Sequence, residues 1–193
     1  MTSDPIRTGL PPHARRAFKG EIFEVWQWEQ EMFDGTTEIF ERIWRYPSVE
    51  VIATVGDKII LEEQDQPDHP NFLSLVSGCA DRSQDMLAEA QRELLEETGY
   101  HCDDWHALWT ENGGGKVMHE VHYFVARDCE KVREQQLDAG ERITIKLITF
   151  DDMLALADEP RFWMSPRFIN RLLRARTDSA ARDELHAMIF GEK

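Results

Sequence analysis

Cysteine is scarce in this chain. Cys79, Cys102 and Cys129 are the only three in 193 residues; the number is odd and no two form a CxxC pair. That pattern excludes a disulfide-stapled scaffold and a cysteine-based zinc site, and the expectation is free thiols in a reducing cytoplasm. Long apolar runs are missing too. No stretch approaches the roughly 20 residues of a membrane helix, and the N-terminus lacks an apolar run of signal-peptide length. Positive charge is the third shortage: 22 Lys and Arg stand against 37 Asp and Glu, a formal net charge of −15. Duplex nucleic acid and anionic membranes are therefore poor partners. Internal repeats, a dinucleotide fingerprint and support for a Ser-His-Asp triad are also lacking. Gly113-Gly114-Gly115-Lys116 is not a P-loop, because Thr110 stands where the first glycine is needed and Val117 where Ser or Thr is needed; it reads as a flexible hairpin. His119-Glu120-Val121-His122 is one residue short of HExxH, and on a strand its histidines point to opposite faces.

What is present is a globular composition, 41% hydrophobic and 31% charged, long enough for one domain with a sizeable core. Residues 1–16 read as an arm. Phe23, Val25, Trp26 and Trp28 belong to a strand, Asp34-Gly35 is a hairpin-turn signal, and Ile39, Phe40, Ile43 and Trp44 belong to a second strand. Such a hairpin is not stable alone and must pack on the domain or on another subunit. Strands follow at Val49–Ala53 and Ile59–Leu61 around Gly56-Asp57, then at 72–76. The run from Glu62 to Asp68 reads as polar and turn-forming. A helix over 84–98 precedes strands near 105–111, 117–126 and 143–150. Asp151 or Asp152 caps a helix carrying Met153, Leu154 and Leu156, and helical patterns over 167–174 and 180–190 end the chain. The order predicts an α+β domain with α/β/α layering.

The 84–98 helix holds the chemistry. Asp81 or Ser83 can cap its start, with Gln84 completing a box, and Gly99 suits the left-handed position at its end. Leu87, Ala90 and Leu94 recur at helical spacing and are expected to face a core. At about 100° per residue, Glu89, Glu93, Glu96 and Glu97 crowd into an arc of about 100°. Each like-charge pair at that spacing costs about 0.2–0.5 kcal/mol. Arg92 relieves part of this, and a divalent cation would relieve more, since hard cations take several oxygen ligands. The plain alternative is a solvated acidic face.

Gly78, Arg92-Glu93-Leu94, Glu96-Glu97 and Gly99-Tyr100 resemble the Nudix hydrolase signature, GX5EX7REUXEEXGU with U bulky and apolar. The one polar departure is Gln84, where the family has Glu. The resemblance implies a mixed β-sheet sandwiched between helices, with the N-terminal hairpin as an addition, so that residues 1–46 form an arm and hairpin and 47–193 the catalytic domain. It implies Mg²⁺, with Mn²⁺ as the alternative, held by Glu93, Glu96, Glu97 and the Ser77 carbonyl, while Arg92 orients the glutamates. Glu141, in a loop after the signature helix, matches the position of the catalytic base in ADP-ribose pyrophosphatase-like members; Glu120 and Glu111 are weaker candidates. A Gln-x-Arg of those members corresponds to Gln64-Asp65-Gln66, so Gln64 and Gln66 are substrate-side candidates and the arginine is missing. Trp26, Trp28 and Trp44 either stack on a substrate ring or pack the hairpin. The implied function is hydrolysis of the diphosphate in a nucleoside diphosphate joined to another moiety, such as a sugar, by a cytoplasmic homodimer dimerising through the hairpin. The other reading is a Nudix-fold binding module without turnover, suggested by Gln84 and Gln66.

Overall fold

The computed structural model describes residues 9–80 and 85–191. The chain divides into two units, Met1–Pro47 with Glu111–Glu120, and Ser48–Thr110 with Val121–Lys193.

The first unit is a small sheet. Strands β2 (Phe23–Glu31) and β3 (Thr37–Arg45) form the expected antiparallel hairpin. Asp34 closes its turn by accepting from the Thr36 N–H and hydroxyl, and Gly35 takes φ 82°. The end of the expected arm departs from the sequence reading: Arg15–Lys19 is a strand, β1, antiparallel to β2. It is fixed there by Arg16, which pairs with the buried Glu24. A two-residue strand, β10 (Val117–Met118), runs parallel to β3 after the Gly113–Lys116 turn.

The second unit is a three-layer sandwich. Its mixed sheet contains β4 (Ser48–Val55), β5 (Lys58–Gln66), β6 (His69–Ser74), β7 (Val76–Cys79), β9 (Asp104–Asn112), β11 (Glu120–Arg127) and β13 (Arg142–Ile148). The strand order is β13-β5-β4-β11-β9, with β6 on β5 and β7 on β4, and the short strands β8 (Tyr100–His101) and β12 (Glu130–Lys131) pair with each other in a separate ribbon. The β4–β11 pair is parallel, whereas β5 is antiparallel to β13 and β6. Strand alternation gives each face its own core. Ile52, Ile59, Leu61, Tyr123 and Val125 pack with helices α2 (Phe150–Ala155), α3 (Pro166–Thr177) and α4 (Ser179–Phe190). Val49, Val51, Ala53, Ile60, Phe124 and Ala126 pack with Ala90 and Leu94 of the signature helix.

That helix is α1 (Met86–Glu93), continued by a π-helical turn over Leu94–Thr98. Its observed cap is Asp85, which accepts from the Leu87 and Ala88 N–H groups; the expected caps Asp81 and Ser83, and Gln84, lie outside the described residues. Leu87 is exposed rather than core-facing, because the buried stripe runs through Glu89, Ala90 and Leu94. Gly99 ends the turn in the left-handed region at φ 75°. Thr149, not Asp151 or Asp152, caps α2, in a capping box with Asp152. Among the described residues no helix is long and apolar enough to cross a membrane.

Candidate active site

Arg92 gathers the glutamates of the signature helix. Its guanidinium bonds Glu89 one turn before it, the neighbouring Glu93, and Glu96 one turn after it. Glu93 is pressed against the backbone at Gly78: a Cβ there would lie 2.0 Å from Glu93 Oε1. The glycine at the head of the signature is thus required by close approach, not by an unusual φ. Burial drives the Glu93 carboxyl up to about 7 against the opposing pull of Arg92, with Glu89 and Glu96 adding to the rise. Glu97 follows one turn beyond Glu93. It is buried, and its Oε2 accepts the Ser77 N–H at 3.2 Å.

Glu97 is not alone. Glu62 of β5 has no exposed surface, and its carboxyl, like that of Glu97, is pushed well up by burial. The charges of Glu62, Glu93 and Glu141 add to the rise at Glu97, and those of Glu50, Glu141 and Glu93 to the rise at Glu62. The site is therefore a group of carboxylates from β4, β5, the signature helix and the loop before β13, buried at Glu62 and Glu97 and half-buried at Glu50, Glu93 and Glu141. Gln64 Nε2 donates to Glu62 Oε2 and to Ser74 Oγ, both at 2.7 Å, and Gln66 Nε2 donates to Gln64 Oε1 at 3.5 Å. Glu62 Oε1 is buried with no hydrogen-bond partner among the described residues.

The loop carrying Glu141 is tied to the end of the helix. The Val132 and Arg133 N–H groups donate to Gly99 O, and the Gln136 N–H donates to Glu96 O. The Gln135 side chain donates to Glu97 O and Ile143 O. These satisfy carbonyls that a helix end leaves open. Farther on, Glu141 Oε2 accepts the Asp138 N–H while the Glu141 N–H donates to Asp138 O, closing a tight turn.

The remaining sequence candidates are placed as follows. Gln64 is buried inside the acid group, bonded to protein partners. Trp28 and Trp44 are buried in the first unit: the Trp28 indole donates to Gln30 and lies 6.1 Å from Phe40, and Trp44 meets Tyr46 edge-on at 4.8 Å. Trp44 also lines a cavity of about 180 Å³ with Arg42, Arg45, Gly114 and His119. Glu111, near the end of β9, and Glu120, at the start of β11, bound the segment that groups with the first unit. Sequence reasoning missed Glu62 and Glu50. The signal available was period-two alternation carried on from Ile60 through Glu62 and Gln64.

A hard divalent cation suits this donor set. The ligating atoms on offer are carboxylate oxygens, the groups acting on Glu62 and Glu97 are chiefly other carboxylates, and Glu62 holds a buried oxygen without a partner. Among the described residues no three acidic, His or Cys side chains stand as a ready-made ligand set; Glu93 and Glu96 are turned onto Arg92.

Residues 44–169 match the NUDIX domain, and the chain belongs to the Nudix hydrolase family. A protein described as "Methanol dehydrogenase activator" of Bacillus methanolicus is 28% identical over 156 residues, covering 79% of this chain and 84% of that protein. An "ADP-ribose pyrophosphatase" of Bacillus subtilis (strain 168) is 26% identical over 147 residues, covering 73% and 78%. The structure of an "ADP compounds hydrolase" shares the fold, with TM-score 0.71 at 20% identity over 90% of this chain and 94% of that one. The sandwich with its mixed sheet is thus the Nudix fold that the signature implies.

Proposed function

We propose that this Nudix hydrolase cleaves the diphosphate linkage of a nucleoside diphosphate joined to a second moiety, ADP-ribose or a nucleotide sugar, with Mg²⁺ or Mn²⁺. The observation that carries the reading is the buried carboxylate group around Glu97, set on an intact Arg92-Glu93…Glu96-Glu97 helix. The names of the Bacillus subtilis relative and of the structural neighbour support the substrate class.

Glu93, Glu96 and Glu97 would hold the cation, together with the Ser77 carbonyl. A bound divalent cation neutralises charge on the bridging phosphates and lowers the pKa of the attacking water. Arg92 keeps three glutamates from repelling one another apart, Gly78 leaves room for Glu93, and the Ser77 N–H fixes the Glu97 carboxylate. Glu141 takes the proton from the water that attacks phosphorus; the P–O bond to the leaving phosphate breaks, and that phosphate departs with the electron pair. Gln66 stands where related enzymes use arginine, so a bound cation would carry most of the charge compensation for the substrate. A binding module without turnover is disfavoured by the intact downstream glutamates.

The test is a hydrolysis panel of ADP-ribose, nucleotide sugars and dinucleotides with Mg²⁺ or Mn²⁺, read as nucleoside monophosphate released. Glu97→Gln is expected to lower kcat by about two orders of magnitude. An unchanged kcat in that variant would remove Glu97 from the site.

A further inference from the structure

Glu62 is the one charged side chain among the described residues with no exposed surface. A carboxylate in that position needs compensation, and only half of it is provided. Oε2 accepts from Gln64, whereas Oε1 faces no donor among the described residues. The charges bearing on Glu62 from β4, the signature helix and the Glu141 loop are all negative. An unpartnered, fully buried oxygen within a group of carboxylates is the arrangement a cation completes.

The signature is also one carboxylate short, since Gln84 stands at its first acidic position. We propose that Glu62, held in place by Gln64 and Ser74, is a ligand of the divalent cation, and supplies from β5 the negative charge that Gln84 withholds from the signature. This rests on the divalent-metal centre put forward above. Glu62 stands on the sheet and Glu93 and Glu97 on the helix, so the residues that would hold the cation come from both layers. Gln64 is a positioning residue: its amide leaves Glu62 a single open oxygen.

The experiment is calorimetric titration of the full-length protein with Mn²⁺ alone, checked by the electron paramagnetic resonance signal of free Mn²⁺. Glu62→Gln keeps the side-chain shape and is expected to raise the Mn²⁺ Kd by about tenfold or more. Restoring the signature in that background, Glu62→Gln with Gln84→Glu, is expected to recover most of the affinity. Should Glu62→Gln fold poorly, Glu62→Asp keeps the charge, withdraws it by one methylene and is expected to weaken binding severalfold. The inference is overturned if the wild type binds Mn²⁺, Glu97→Gln weakens that binding, and the Glu62 variants do not. It is overturned as a replacement for position 84 if Gln84→Glu recovers nothing. A wild type that binds no Mn²⁺ would instead sink the metal-centre reading itself.

Discussion

Gly78 and Glu93 occupy one space between them. A methyl group at Gly78 would fall 2.0 Å from Oε1 and 2.3 Å from Cγ of Glu93. The obstructing atoms belong to a flexible side chain, so Gly78→Ala is expected to turn Glu93 aside and leave the sheet intact. The expected signature is a fall in kcat of about 100-fold, in keeping with the sensitivity of catalytic groups to small misplacement, with a melting temperature close to the wild type. A large loss of stability would mean that the glycine serves the fold instead. Glu93 also gives the protein a pH dependence of unusual sign. Its carboxyl rises from an ordinary 4.5 to about 7 on folding, through burial first. Between those values the folded state binds more protons than the unfolded chain, so stability falls as pH rises through that window. Metal-free protein is therefore expected to melt at lower temperature at pH 7.5 than at pH 5, with Mg²⁺ restoring stability mainly at the higher pH. Thermal scans in EDTA and in Mg²⁺ check this; a metal-free melting temperature that climbs with pH would refute it. What the sequence disclosed at this scale was Arg92, Glu93 and Glu97, because a long spaced pattern names them. Glu62 was hidden because Glu62-Glu63-Gln64-Asp65-Gln66 looks like a solvated turn until β6 and β13 are known to pair with it on both sides.

The elements around the signature helix follow from the same local rules, with exceptions that have physical causes. The hairpin of the first unit, the turn at Gly56 and the three late helices stand near where turn residues and apolar periodicity put them. The helix cap moved to Asp85 because its carboxylate reaches two free N–H groups directly. The loop over 132–136 could not be read in advance, since it docks through backbone atoms that any sequence carries. Gly99 reveals it afterwards: φ is 75°, and a Cβ would stand 2.1 Å from the Arg133 carbonyl oxygen. For Gly99→Ala the left-handed backbone alone costs about 1–2 kcal/mol, and here the neighbour is backbone that cannot swing away. A lowered melting temperature is expected, together with faster amide exchange over 132–141, the segment that leads to Glu141. Unchanged exchange there would show the loop to be held by other contacts.

For the molecule as a whole, a net charge of −15 and the polyanionic substrate proposed above are at odds, which places the burden of binding on local charge. The apolar surface is distributed unevenly as well. Phe18, Ile22, Phe23, Phe33, Ile39 and Ile43, all of the first unit, are exposed large hydrophobic side chains. This supports the proposal that the unit pairs with a second copy of the chain, as its hairpin cannot be stable alone. Light scattering is expected to give twice the 22.5 kDa of one chain, and Ile39→Asp with Ile43→Asp to shift the mass toward the monomer. A wild type already at 22.5 kDa would end that proposal.

Strand β5 keeps oil and charge apart by alternation alone: Ile59 and Leu61 belong to the three-helix core, Ile60 to the signature-helix core, and Glu62 and Gln64 continue the line of Ile60. Because a one-residue slip flips every side chain to the other face, removing a single residue between Lys58 and Leu61 would drive Glu62 into the place of Leu61 in the three-helix core and put Glu63 where Glu62 now stands. Length variation in this protein therefore has to be absorbed at the Gly56-Asp57 turn and never inside the strand beyond it.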